Sequence, residues 1–221
     1  GRLVVGVLLV QDLLIILLIS ALVGIEVGWT GALVSINGTL GLMLLAYISM
    51  KWVMPWLLVR QNLDEEERLL VVLAILFLFI GASVLINVPI VVGAFLAGVS
   101  LSVFPVSGLF RGQLVSLSDF FLAVFFVALG ATLALPGLSD LMLALSLTAV
   151  VLILTPIIVN FIARHAGLTS RAALESGLLL AQTSEFSLIV GLLGVQQGHL
   201  DNSTFSVIAI VTVITMILTP F

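Results

Sequence analysis

Cysteine is absent from this chain, and only two histidines occur among its 221 residues. Without cysteine there are no disulfides, thiolate metal centres or catalytic thiols. His165 and His199 stand beside polar loops rather than inside apolar stretches, and no spacing of His, Asp or Glu matches a metal-ligand motif. Charge is equally scarce: Asp, Glu, Lys and Arg make up 8% of the chain, against about a quarter in soluble domains. No hydrophilic run is long enough to fold as a domain of its own. Whatever the chain does must therefore be done within its apolar segments. Ser184 and Glu185, adjacent in sequence, do not make a nucleophile and base pair, so no enzyme is expected. Nothing in the composition calls for a soluble cofactor or a nucleic-acid partner.

What the chain has in abundance is apolar length: 62% hydrophobic residues and a mean hydropathy of +1.42. Apolar runs punctuated by Gly, Pro and charge predict eight helices, at about 3–25, 30–52, 69–86, 88–103, 114–134, 138–163, 172–195 and 203–221. The runs are continuous rather than alternating, which excludes the strands of a membrane barrel. The expected class is an all-α membrane protein, a polytopic helical bundle in the lipid bilayer. Separation of the third and fourth helices rests on a turn at Asn87-Val88-Pro89, with Pro55, Pro89 and Pro105 read as helix punctuation.

Charge placement supports the count of eight. With helix ends numbered alternately, all 7 basic residues (Arg2, Lys51, Arg60, Arg68, Arg111, Arg164 and Arg171) fall on one face, while the other face carries Glu26, Asp140 and Asp201. Deleting the turn near Pro89 would move Arg111, Arg164 and Arg171 across. A one-sided basic distribution marks the cytoplasmic side, here that of a cell (inner) membrane. The acidic run DEEE at 64–67 is a solvated loop on this reading. The chain enters an apolar run after two residues, without an initiator Met or a signal-peptide basic region, and MILTPF ends within another; an internal piece of a longer protein is expected.

Four places break the apolar pattern. In VLLVQDLLIILL, residues 7–18, Asp12 falls near the middle of a span, where a carboxylate costs about 2.5–3.5 kcal/mol by insertion scales and is usually tied to ion or proton traffic. Gln11 beside it suits an interhelical hydrogen bond. GAFLAG, 93–98, sets Gly93 and Ala97, then Ala94 and Gly98, four apart, a spacing for close helix packing. In DFFLAVFFVALG, 119–130, the phenylalanines suggest packing, Gly130 a bend or stop, and Asp119 a solvated position near the basic face. LLLAQTSEFSLIVG, 178–191, gathers Gln182, Thr183, Ser184, Glu185 and Ser187 in mid-span. A continuous helix has little use for them, whereas an interrupted helix near the bilayer midplane uses such side chains and freed backbone groups as an ion site. Glu185 suits either ion contact or the locking of helices together.

Hard monovalent cations take oxygen ligands. Asp12, the Gln11 carbonyl, the hydroxyls of Thr183 and Ser184 and the carbonyls of a broken helix could supply them. A proton and a cation compete for one carboxylate, and such competition combined with alternating access is antiport.

These blocks, GRLVVGVLLVQDLLIILL at 1–18, VVGAFLAGVSLS at 91–102, FFLAVFFVALGATL at 120–133 and GLLLAQTSEFSLIV at 177–190, together resemble the monovalent cation:proton antiporter-2 family of sodium or potassium/proton exchangers. The resemblance covers nearly the whole chain with the blocks in order. It implies transmembrane helices 5–12 of the inverted-repeat sodium/proton antiporter fold, with the earlier helices missing. Asp12 would be the ion-carrying aspartate, and the broken helix of the second repeat would run through Gln182 to Glu185. Residues 1–27 and 138–221 would form the core that carries the ion site, moving elevator-like against a scaffold of residues 28–137 through which the protein homodimerises. Two departures stand out: Gln11 replaces the first of two aspartates, as in the potassium-efflux-like branch, and Thr155 before Pro156 replaces a lysine associated with electrogenic exchange. Both imply electroneutral exchange. The rival readings are a sodium-coupled solute symporter of related architecture and a channel or complex subunit in which the membrane acids are structural.

Overall fold

The computed structural model describes residues 2–59, 63–102, 108–133 and 136–219. Arg60 and Pro105 lie outside these residues, as do the side chains of Arg2 and Arg111. Among the described residues the regular structure is helical throughout: α1 (Arg2–Ile25), α2 (Trp29–Ile48), α3 (Glu65–Leu85), α4 (Ile90–Leu101), α5 (Gly108–Thr132), α6 (Leu138–His165), α7 (Ser170–Leu179), α8 (Phe186–Gln196) and α9 (Asn202–Leu218). α2 continues past its regular end in wide π-type turns, Ser49–Val53 and Pro55–Val59. Its expected end near residue 52 is therefore exceeded. Among the described residues five helices, within α1, α2, α3, α5 and α6, are long and apolar enough to cross a membrane, and α4, α8 and α9 are shorter apolar helices. The protein is an integral, multi-pass membrane bundle. The eight expected segments are all present as helices, with the seventh divided into α7 and α8.

The chain forms two compact units, Leu13–Val124 and Gly1–Asp12 with Phe125–Phe221. In the first, close backbone approach organises the packing. A Cβ on Gly24 would come within 2.6 Å of the Ala32 Cα, and one on Gly31 within 2.5 Å of the Gly24 carbonyl oxygen, so α1 and α2 touch through their backbones. Further along, Thr39 Oγ1 lies 2.7 Å from Ser20 Oγ and 2.9 Å from the Ser35 carbonyl. Lipid tails are as apolar as leucine, so small residues and interhelical hydroxyls hold such contacts where water would otherwise drive burial.

The turn at Asn87-Val88-Pro89 exists. Asn87 takes a left-handed conformation at φ 55°, which asparagine tolerates better than branched residues. The Val88 N–H donates to the Ser83 carbonyl at 2.8 Å, and Pro89 opens α4 without needing a donor. α4 folds back on α3: a Cβ on Gly93 would meet the Phe79 carbonyl oxygen at 2.5 Å and Ser83 Oγ at 2.7 Å. Ala97 is likewise buried, whereas Gly98 has nothing within 4 Å of a Cβ position. Close packing in GAFLAG thus runs through Gly93 and Ala97 rather than through both pairs.

In the second unit α6 packs on α7 and α9, and α8 on α9. Leu129, Leu188, Phe205 and Ala209 form one buried cluster, with Phe126, Leu133 and Val195 against it. Ala144, Val207 and Val211 form another. Asp140, in the first turn of α6, accepts from the Ser203 hydroxyl at 3.0 Å and the Gly137 N–H at 3.2 Å, which ties the starts of α6 and α9 together. α5 runs through Gly130 and ends at Thr132, so this glycine marks the approach of a stop rather than a bend.

Candidate functional site

Asp12, Gln11 and the polar residues of the seventh segment belong to the same compact unit. Asp12 stands in the middle of α1 with a half-buried side chain; Gln11 is exposed. Because α1 is continuous, its backbone is satisfied internally, and these two side chains are the polar chemistry it offers in mid-span. Among the described residues the ion pair is that of exposed Arg171 with Glu175, at 2.8 Å, and Asp12 takes no part in it.

The seventh segment is interrupted. α7 stops at Leu179, α8 starts at Phe186, and residues 180–185 between them, LAQTSE, are not helical. Serine and threonine hydroxyls compete for local backbone groups and so offer the chain an alternative to the helix ladder. The replacements are visible. The Ala181 N–H turns to the Leu178 carbonyl at 3.2 Å, the Phe186 N–H donates to Ser184 Oγ at 3.2 Å, and the Ser187 N–H donates to the Ser184 carbonyl at 2.9 Å. The Thr183 N–H finds its acceptor on another helix, the Thr215 hydroxyl of α9, at 3.1 Å. Thr215 is fully buried. Its single hydroxyl proton has two acceptors in reach, Thr183 Oγ1 at 3.1 Å and the Thr212 carbonyl at 2.9 Å.

Two helix ends meet at this interruption, the carbonyl-rich C-terminus of α7 with its partial negative charge and the N–H-rich N-terminus of α8 with its partial positive charge. Glu185 occupies the N-cap position of α8 and is exposed. A carboxylate there complements the positive end.

α6 fixes the position of α7. Pro156 lies inside α6 and is buried, and a Cβ on Gly177 would come within 2.9 Å of the Pro156 carbonyl oxygen. Proline lacks an N–H, so the Leu152 carbonyl four residues earlier loses its helical donor, a further polar group within the span. Thr155, half-buried, is the residue before this contact.

The predicted residues take different local roles. Thr183 joins an interhelical hydroxyl pair, Ser184 is engaged by its own chain, Gln182 is half-buried, Glu185 faces outward, and Asp12 and Gln11 stand on a separate helix. Sequence reasoning missed Thr215 and Thr212. Their signal was a run of hydroxyls, Thr212, Thr215 and Thr219, spaced three and four apart along one helix face.

The Asp201 carboxylate, outside the spans, caps α9 through the Thr204 N–H at 3.2 Å. Its pKa is lowered, first by the Thr204 hydroxyl and then by the Thr204 backbone N–H.

Residues 1–221, the whole chain, match the family model described as "Sodium/hydrogen exchanger, transmembrane". The chain is 32% identical over 209 residues to the K(+)/H(+) antiporter subunit KhtU of Bacillus subtilis (strain 168), covering 89% of this chain and 50% of that protein. It is 26% identical over 233 residues to a Na(+)/H(+) antiporter of Enterococcus hirae, covering 100% of this chain and 60% of the relative. Similarity to the ammonium/H(+) antiporter subunit AmhT of Alkalihalophilus pseudofirmus (strain ATCC BAA-2126 / JCM 17055 / OF4) is 26% over 208 residues, covering 90% and 53%. The chain thus spans about half the length of the curated relatives it matches.

Proposed function

The chain belongs to the transmembrane sodium/hydrogen exchanger family, and from that premise we propose that it is the ion-translocating part of a secondary antiporter that exchanges a monovalent cation, Na⁺ or K⁺, for protons by alternating access. The observation that carries this reading is the interrupted span, bonded to α9 through Thr183 and Thr215, within the same compact unit as Asp12. The relatives' names specify K⁺, Na⁺ and ammonium, all monovalent and all exchanged for H⁺.

Asp12 holds either the proton or the cation, never both. With the proton bound, the site is neutral and crosses without a metal ion. With the proton gone, the carboxylate takes a cation whose remaining oxygen ligands come from the Gln11 carbonyl, the Thr183 and Ser184 hydroxyls and the carbonyls ending α7. The half-helix dipoles meeting at the break allow charge to be held there without a fixed counter-ion. Glu185 and Gln182 set the local field and backbone of the break. With one aspartate in the motif and Thr155 where an intramembrane lysine would add a second titrating group, exchange is electroneutral. The protein is not an enzyme, homodimerises, and keeps its basic loops on the cytoplasmic side of the cell (inner) membrane.

Dissipation of an imposed pH gradient by the purified protein in liposomes, with Na⁺, K⁺ and Li⁺ compared, tests this. Asp12→Asn removes cation-dependent proton flux while leaving assembly intact; unchanged flux in that variant refutes the assignment, and a membrane potential built during exchange refutes electroneutrality. A second reading has one specific support, since two of the relatives are named as antiporter subunits: the chain works with a different partner chain. The mass of the solubilised complex decides between this and the homodimer.

A further inference from the structure

α6 has 28 residues and, at 1.5 Å rise per residue, is about 42 Å long. A hydrocarbon layer of about 30 Å covers only about 20 of those residues. The end of the helix that carries Asn160, Phe161, Arg164 and His165 therefore reaches the headgroup layer. Ile157, Asn160, Phe161, Arg164 and His165 line a cavity of about 500 Å³. They recur at helical spacing, so they share one face of α6, turned away from the side that buries Ala163 and Pro156.

The chemistry of this face changes along its length. Ile157 and Phe161 are largely exposed and apolar, whereas Arg164 and His165 are exposed and basic. The His165 ring lies against the Phe161 ring, with centroids 4.3 Å apart, and its Nδ1 is 2.9 Å from the Phe161 carbonyl oxygen. The imidazole is thereby fixed, with Nδ1–H donating to that carbonyl. Asn160 Oδ1 is buried and, among the described residues, has no hydrogen-bond partner. An acceptor of this kind is costly to leave unmatched at the edge of a bilayer, and a donor from a ligand would satisfy it.

We propose that this face of α6 binds an anionic glycerophospholipid with a hydroxylated headgroup, its phosphate on Arg164, a headgroup hydroxyl on Asn160 Oδ1, and an acyl chain along Ile157 and Phe161. Guanidinium and phosphate pair through charge-assisted hydrogen bonds. The apolar-to-basic gradient fits a molecule that is itself apolar at one end and anionic at the other. A soluble anion would use the basic end alone and leave Ile157 and Phe161 uncovered.

Native mass spectrometry of the purified protein in detergent tests this with three probes: phosphatidylglycerol, phosphatidylcholine, and phosphatidylmethanol, which is equally anionic but has no headgroup hydroxyl. The expected order of retention is phosphatidylglycerol, phosphatidylmethanol, phosphatidylcholine. Arg164→Gln lowers retention of both anionic lipids about fivefold, the factor set by one interfacial basic residue. Arg164→Lys restores most of the loss. Asn160→Leu abolishes the preference for phosphatidylglycerol over phosphatidylmethanol without changing that over phosphatidylcholine. Arg171→Gln, at an exposed basic residue already paired with Glu175, leaves all three unchanged. Equal retention of phosphatidylcholine and phosphatidylglycerol overturns the proposal. So does a loss in Arg171→Gln as large as in Arg164→Gln, or displacement of the lipid by millimolar inorganic phosphate. A gel-filtration profile matching the unaltered protein separates loss of lipid from loss of fold.

Discussion

The α3–α4 turn and the α7–α8 interruption both break a long apolar stretch inside a membrane protein, and they differ in where one broken-backbone donor is satisfied. At the turn the donors bond within their own helix: the Ile86 N–H to the Ala82 carbonyl at 3.2 Å, Asn87 to Val84 at 3.1 Å and Val88 to Ser83 at 2.8 Å. At the interruption the Thr183 N–H reaches Thr215, 32 residues away on α9. A break closed by its own helix is rigid and self-contained, and nothing is left to exchange with a ligand. A break closed by a hydroxyl on a neighbouring helix depends on that helix, since Thr215 accepts the Thr183 N–H while its own proton goes to Thr183 Oγ1 or the Thr212 carbonyl. The first region therefore reads as architecture and the second as a site.

Substitutions sharpen this contrast. Gly93→Val should have the largest effect on stability, since a Cβ there already meets the Phe79 carbonyl oxygen at 2.5 Å. Overpacking of this kind costs about 1–3 kcal/mol, read as a lower melting temperature in detergent, with any protein that remains folded still exchanging. Thr215→Val keeps the volume but orphans the Thr183 N–H. Its expected cost is about 1 kcal/mol, the scale of interhelical hydrogen bonds in membranes, accompanied by reduced proton flux that Thr215→Ser recovers. A Gly93 variant that loses flux without losing stability, or a Thr215→Val variant that exchanges normally, would erase the distinction between the two regions.

The smallest effect is expected at Asp201, where water already reaches the capping carboxylate. Its folded-state pKa is lowered by Thr204, so the native state favours the ionised form. That contribution is present above the ordinary aspartate value of about 3.9 and fades as pH falls through the lower folded value. Melting measured from pH 6 down to pH 3 should show a slightly steeper acid loss in the unaltered protein than in Asp201→Asn.

Much of the helix order was legible because charge and proline act locally. Asn87-Val88-Pro89 marks a turn through one left-handed residue and one missing donor. The interruption in the seventh segment was legible for a similar reason: Gln182, Thr183, Ser184 and Glu185 are too polar for an uninterrupted span. The acceptor of the Thr183 N–H was not. Threonines in membrane helices commonly bond their own i−4 carbonyls, as Thr212 does to Ile208 at 2.8 Å, so the hydroxyl run of α9 marks a face without telling which helix Thr215 serves. The extension of α2 through π-type turns to Val59 was hidden too, since Trp52, Pro55 and Trp56 look like the boundary of a span. Glu185 shows a further limit. Its charge was plain in the sequence, but its outward placement at the start of α8 depends on where α7 stops.

The meeting of Gly177 with Pro156 has a consequence for motion. Two helices separated by side chains can slide, because rotamers form a soft layer between them, but here backbone lies directly on backbone and there is no such layer to shear. α6 and α7 are riveted at that point. On the alternating access proposed above, α6 and α7 are expected to move as one piece, with the flexing in the connections around that pair.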